Sequence, residues 1–192
     1  EEYNGSAWTE GGALNNGRAM GAGAGTQTAT LFFGAFDGST TYAYTESYNG
    51  ASWTSENTLT TPTRQLAGAG TATAGLAAAG YNGTAITAVS EEYNGTSWTA
   101  GNSLNTARSK LSGDGLQTAA FVVGGDTGSA SAAMEEYDGT DWTTSPASLG
   151  TARATLAAAG TTTLALAFGG DPAMTNTEEY TAAATAKTIT TS

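Results

Sequence analysis

The chain has 192 residues, carries 6 Lys+Arg against 17 Asp+Glu for a net charge of −11, and contains neither His nor Cys. That length suits one domain, and the acidic balance excludes nucleic acid and anionic membrane surfaces as partners, because both need clustered Lys and Arg. The missing His and Cys exclude disulfides, thiol nucleophiles, Cys/His zinc sites, His-ligated copper or iron, and triads with a His base. No run of about 18 apolar residues is present, so no membrane insertion is expected, and no charged-then-apolar leader is visible. Leu, Ile, Val and Phe number only 22, as in disordered chains. The 4 Trp and 8 Tyr argue for order, provided that a pattern places them.

The pattern is a repeat. In chain order the segments are EEYNGSAWT (1–9), ESYNGASWT (46–54), EEYNGTSWT (91–99), EEYDGTDWT (135–143) and EEYTAAATAKTITTS (178–192). They place Trp8, Trp53, Trp98 and Trp142 at steps of 45, 45 and 44, each five residues after Tyr3, Tyr48, Tyr93 and Tyr137, with Tyr180 as a fifth tyrosine. Glu1, Glu46, Glu91, Glu135 and Glu178 open the five copies, and the second Glu drifts to Ser47. Each of the first four copies reads as two short strands joined by Asn-Gly or Asp-Gly, the signature of a two-residue type I′ turn. In such a hairpin Tyr93 pairs with Thr96 and Glu91 with Trp98, and all four share one face.

Between these hairpins lie Arg18, Arg64, Arg108 and Arg153, each followed sixteen residues later by Gly34, Gly80, Gly124 or Gly169. RQLAGAGTATAGLAAAGYNG (64–83) and RATLAAAGTTTLALAFGGD (153–171) predict a second hairpin turning near Gly70-Thr71 and Gly160-Thr161. Gly and Ala are weak strand formers. They fit where strands crowd together, as the inner strands of a propeller do. A period near 45 with short strands predicts a propeller or a solenoid.

The order of Arg, inner strand, second strand ending in Gly or Gly-Gly, Glu-x-Tyr, tight turn and Trp strand resembles the kelch repeat. The resemblance rests on Gly124-Gly125, Gly169-Gly170, the Tyr and Trp of each copy, and the Arg before the inner strand. It departs in a short Tyr-to-Trp gap and in Gly34-Ala35 and Gly80-Tyr81, where the double Gly decays. It implies an all-β, kelch-type β-propeller of four-stranded blades, four to five of them over residues 1–192, as a single domain. More loosely the chain resembles kelch-like arrays of marine bacteriophages. It starts and ends on outer hairpins, with five Tyr hairpins against four Arg-led ones. The expected partners are therefore the remainder of a longer propeller chain or another copy of itself.

Trp8, Trp53, Trp98, Trp142, Arg18, Arg64, Arg108, Arg153, Glu46, Glu91 and Glu135 recur with the repeat. They are expected to serve the scaffold, the Arg and Glu as ion pairs or backbone caps and the aromatics as blade-to-blade packing. Adjacent acids such as Glu91 and Glu92 point to opposite faces of a strand and form no general acid/base pair. No catalytic residue is identified. The loops after the Gly positions differ from copy to copy: AFDGSTT (35–41), YNGTA (81–85), DTGSAS (126–131) and DPAMTNT (171–177). They offer Phe36, Asp37, Tyr81, Asn82, Asp126 and Asp171 as candidate binding residues. The competing reading of these residues is ordinary turn chemistry. No loop carries enough carboxylates for calcium, and no metal or cofactor is expected.

These observations point to a non-enzymatic structural and binding module, an extracellular or virion appendage that contacts a glycan or protein surface. The alternatives are a propeller hydrolase or oxidase and an intracellular kelch adaptor. A galactose-oxidase-like copper centre would need His and a Cys-linked Tyr, and the chain has neither residue type. The acidic balance disfavours polyanionic glycans.

Overall fold

A computed structural model describes residues 1–182. The described residues contain no helix. Blade one is the sheet β3 (Ala22–Thr26), β4 (Ala29–Phe33), β5 (Thr45–Tyr48) and β6 (Trp53–Glu56). Blade two is β7 (Ala67–Thr71), β8 (Ala74–Tyr81), β9 (Ile86–Tyr93) and β10 (Trp98–Ala100). Blade three is β11 (Ser112–Leu116), β12 (Ala119–Val123), β13 (Ala133–Tyr137) and β14 (Trp142–Ser148). Blade four has three strands among the described residues, β15 (Ala157–Gly160), β16 (Leu164–Phe168) and β17 (Thr177–Thr181). A two-stranded hairpin, β1 (Glu2–Tyr3) with β2 (Trp8–Thr9), precedes them. Every pairing is antiparallel between sequential strands, and the whole is a four-bladed β-propeller arrangement. The TITTS segment lies outside the described residues.

The inner strands stand side by side in the order β3, β7, β11, β15, and this crowding explains their Gly and Ala. A Cβ on Gly68 would lie 2.6 Å from the Gly23 carbonyl oxygen and 2.9 Å from the Phe33 ring. Before the inner strands, four non-glycine residues take left-handed backbone: Met20, Gln65, Lys110 and Thr155. Such a conformation costs on the order of 1 kcal/mol or more per residue. It is held by bonds between blades, in which Gln65 N–H donates to Met20 O, Lys110 to Gln65 and Thr155 to Lys110, at 2.6–2.8 Å.

A residue pair at the end of the second strand is also left-handed: Gly34-Ala35, Ala79-Gly80, Gly124-Gly125 and Gly169-Gly170. In blade two the pair is thus Ala79-Gly80, not the expected Gly80-Tyr81. A register shift between Ala78 and Gly80 marks the place, one residue earlier than a count from Arg64 gives. The second member of the pair ties the blades together. Ala35, Gly80 and Gly125 N–H donate to the carbonyls of Thr63, Arg108 and Arg153 of the following blade at 2.8–2.9 Å.

The outer hairpins exist where expected, but their turns differ. Tyr93 pairs with Trp98 and Glu92 with Thr99, so the loop is four residues, Asn94–Ser97. Gly95 has positive φ and Asn94 does not, which rules out type I′. The Asn94 side-chain oxygen instead accepts the Thr96 and Ser97 N–H groups at 3.0 and 2.9 Å, an Asx turn. The inner hairpin likewise turns after Thr71, at residues 72–73, not at Gly70-Thr71.

Between blades the core is aromatic and aliphatic. Trp98 packs edge-on to Phe33 of the preceding blade, with centroids 4.8 Å apart, and its indole N–H donates to Thr45 at 2.9 Å. Trp142 reaches Ser90 in the same way at 3.4 Å. The Tyr hydroxyls cross the same interface to carboxylates, Tyr48 to Glu2, Tyr93 to Glu56 and Tyr137 to Glu92. Trp8 stacks on Tyr3 within its own hairpin, but no blade covers it and it is exposed.

Candidate binding face

Three kinds of connection meet at one end of each blade: the entry to the inner strand, the exit from the second strand, and the loop that follows the outer strand. The opposite end carries only tight turns. The divergent loops therefore share one end, and the recurring Glu and Arg side chains brace it from beneath.

The brace works as follows. Glu46, Glu135 and Glu178 lie on the third strand, and each accepts a backbone N–H from the loop that enters its blade. The donors are Asn15, Asn105 and Gly150, at 2.8, 2.7 and 2.5 Å. The other oxygen of each pairs with an arginine: Glu46 with Arg18, Glu135 with Arg108 at 2.6 Å, and Glu178 with Arg153 at 2.7 Å. Each of these arginines also donates to the carbonyl of the first residue in the left-handed pair, Gly34, Gly124 or Gly169. Burial pushes the Glu46 carboxyl up, but Arg18 and the Asn15 donors outweigh it and hold it below its ordinary value. Burial pulls the Arg108 guanidinium down, and Glu135 opposes that.

Arg64 does not belong to this set. The bridges that tie inner-strand entry to loop are Ala19–Phe36, Arg64–Tyr81, Ser109–Asp126 and Ala154–Asp171. Arg64 thus stands where the other blades have Ala19, Ser109 and Ala154. The counterpart of Arg18, Arg108 and Arg153 is Thr63, which is buried. The expectation that Arg64 shares the scaffold role of the other three is corrected: it is displaced by one residue. Glu91 makes up the loss by accepting two backbone N–H groups, from Thr60 at 2.7 Å and Thr61 at 3.0 Å.

The displacement brings the Arg64 side chain to the loop end. Its guanidinium carbon lies 3.9 Å from the Phe36 ring centroid and 5.0 Å from that of Tyr81, both within cation–π range. No carboxylate of the described residues forms a salt bridge with it, and its Nε is buried without a partner. The face thus joins Phe36 of one blade and Tyr81 of the next through one cation. Asn82 follows Tyr81, but its side-chain oxygen is occupied by the Thr84 and Ala85 N–H groups at 2.9 Å. Asp37 accepts from the Thr40 and Ser39 N–H groups, the Ser39 hydroxyl and the Tyr42 hydroxyl. Those bonds, the Thr40 N–H first, hold its carboxyl well below the usual carboxylate range. Asp126 pairs with Lys110 at 2.9 Å and accepts the Gly128 N–H at 2.8 Å. Lys110 and then Gly128 hold its carboxyl down. Asp171 is exposed, on blade four.

Of the six loop residues, then, Phe36 and Tyr81 meet at Arg64, whereas Asp37 and Asn82 shape their own turns. Tyr42 and Tyr44, stacked at 4.6 Å, join the face beside Asp37 and escaped the sequence reading because they lie outside the repeat. The step from Arg18 to Arg64 is 46 and from Arg64 to Arg108 is 44. That pair of off-period steps is the sequence signal for the displaced arginine. Among the described residues no three of His, Cys, Asp and Glu gather into a metal cluster. No protein-family model matches the chain, and no curated protein is detectably similar to it.

Proposed function

We propose that this chain is a non-enzymatic structural and binding module, a propeller of kelch type displayed outside the cell or on a virion, that contacts a glycan or protein surface through its loop end. The observation that carries the reading is Arg64, a cation between two aromatic rings from adjacent blades with no protein counter-charge. The structural arginines Arg108 and Arg153 each carry a counter-charge, from Glu135 and Glu178. Two rings and a free guanidinium edge on a rigid frame are what a binding patch needs: apolar planes with a few placed polar groups. Fold alone does not assign function, so the reading rests on this patch.

The test is multivalent display of the chain on a glycan panel, since weak single sites become measurable through avidity. Phe36→Ala and Tyr81→Ala are expected to lose binding while melting close to wild type. Equal binding by wild type and both variants would move the site elsewhere. No binding at any valency would leave a structural spacer.

A further inference from the structure

We infer that the Phe36–Arg64–Tyr81 patch recognises the carboxylate of an acidic sugar, a uronate unit within an otherwise neutral glycan. The inference rests on the binding role proposed above and narrows it to one ligand chemistry. Three of the four arginines have their guanidinium edge filled by a glutamate, at Arg18–Glu46, Arg108–Glu135 and Arg153–Glu178. Arg64 presents the same edge with no carboxylate of the described residues to fill it. A planar guanidinium matches a carboxylate in two parallel N–H···O bonds. An incoming carboxylate would supply to Arg64 what the chain supplies to its other three arginines.

The loop acids Asp37 and Asp126 are already engaged. Asp37 is turned to Ser39, Thr40 and Tyr42, and Asp126 to Lys110 and Gly128. Neither forms a salt bridge with the guanidinium. The Phe36 and Tyr81 rings both lie within cation–π range of the Arg64 guanidinium. A carboxylate would meet its terminal N–H edge. The same rings offer apolar surface to the C–H face of a pyranose beside the carboxylate. The net charge of −11 repels ligands with many closely spaced anions, because long-range repulsion acts before contact. One carboxylate spaced by neutral sugars meets a single local cation and avoids that field. An acidic peptide offers the carboxylate without a ring to lie on Phe36 and Tyr81, and bare carboxylate serves as its control.

The experiment follows the Arg Nε–H resonances of the 15N-labelled chain while glucuronate, glucose or acetate is added. Four Nε–H signals come from the four arginines, and Arg64→Lys assigns one of them by its loss. Glucuronate is expected to shift the Arg64 signal alone, with at least roughly tenfold tighter apparent binding than acetate, in line with charge-assisted bonds added to sugar contacts. Glucose is expected to leave the signal unmoved over the same range. In multivalent display, a glucuronate polymer diluted with glucose is expected to bind at least roughly tenfold better than pure glucose polymer. Arg64→Gln is expected to abolish that advantage while keeping the wild-type melting curve.

Equal binding of glucose and glucuronate polymers, lost in Tyr81→Ala, would overturn the carboxylate inference and leave the binding face standing. Acetate matching glucuronate would overturn the sugar component, and shifts spread over all four arginines would overturn the site. Absence of binding by any polymer would remove the binding role and this inference with it.

Discussion

Arg108 and Arg64 are the same amino acid one repeat apart, yet they play opposite parts, and the difference is one residue of register. Arg108 is fully buried, bonded to Gly124, Ala133 and Glu135. Replacing it by Ala would leave the buried Glu135 carboxylate without its counter-charge, which costs about 3–5 kcal/mol. Arg64→Ala removes no ion pair and is expected to cost less than about 1 kcal/mol. Chemical denaturation of the two variants checks this, and comparable losses would return Arg64 to the scaffold. The Glu46–Arg18 pair makes a pH prediction. The folded carboxyl titrates below its ordinary value of 4.5. Its stabilisation is therefore present above that value and lost as pH falls through the lower folded one. Glu46→Gln should be clearly less stable than wild type at about pH 6, and the gap should narrow as the pH falls below 4.5 and the wild-type carboxyl takes up its proton. A gap independent of pH would mean that the carboxylate charge contributes nothing. The ion pairs were legible from the sequence because Glu and Arg recur. The exception was written only in the steps of 46 and 44 around Arg64, because a one-residue slip changes no residue type, only which direction a side chain takes.

At the scale of the strand, the repeated Trp has value only where a neighbouring blade receives it. Trp98 is enclosed by Phe33, Tyr93 and Thr45, whereas Trp8 meets Tyr3 and otherwise faces solvent. Trp98→Ala is expected to destabilise by about 3–5 kcal/mol through loss of transfer energy and an unfilled cavity. Trp8→Ala should cost less than about 1 kcal/mol. Thermal melts of the two variants decide, and equal shifts would refute interblade packing as the reason for the repeat. The hairpins themselves were legible because Asn-Gly between two short aromatic strands leaves few other conformations. Their loop length was not, because the Asn94 side chain competes for the Thr96 and Ser97 N–H groups and opens a four-residue turn where the dipeptide alone suggests two. The Gly- and Ala-rich inner strands show the same limit. Their composition announces crowding, but the crowding atoms, the Gly23 carbonyl and the Phe33 ring against Gly68, belong to another blade.

At the scale of the whole molecule, each blade makes one interface out of two unlike faces. One face carries the side chains of the second strand, and the other carries the Gly-rich inner strand with the Tyr-Trp pair of the outer hairpin. Leu31 and Phe33 of blade one are 1% and 0% exposed because blade two covers them. The equivalent positions in blade four are Leu166 and Phe168, each 41% exposed, with Leu164 beside them at 61%. A face built like the others, but covered by no other blade among the described residues, exposes a contiguous apolar strip, which marks an interaction surface. The period of 45 made the blades legible, whereas which faces stay open depends on stacking that no single repeat encodes. The 192-residue chain is therefore expected to self-associate through this strip despite its charge of −11, a second copy covering Leu164, Leu166 and Phe168. Sedimentation across a concentration series should show mass rising above that of one chain. The rise should be stronger in high salt, where repulsion between acidic copies is screened. Phe168→Glu with Leu166→Glu, at exposed positions, should keep the fold and shift the series back to a single chain. A compact single chain at every concentration would show that burying this strip does not offset the repulsion. Association undiminished in the double variant would place the contact on another face.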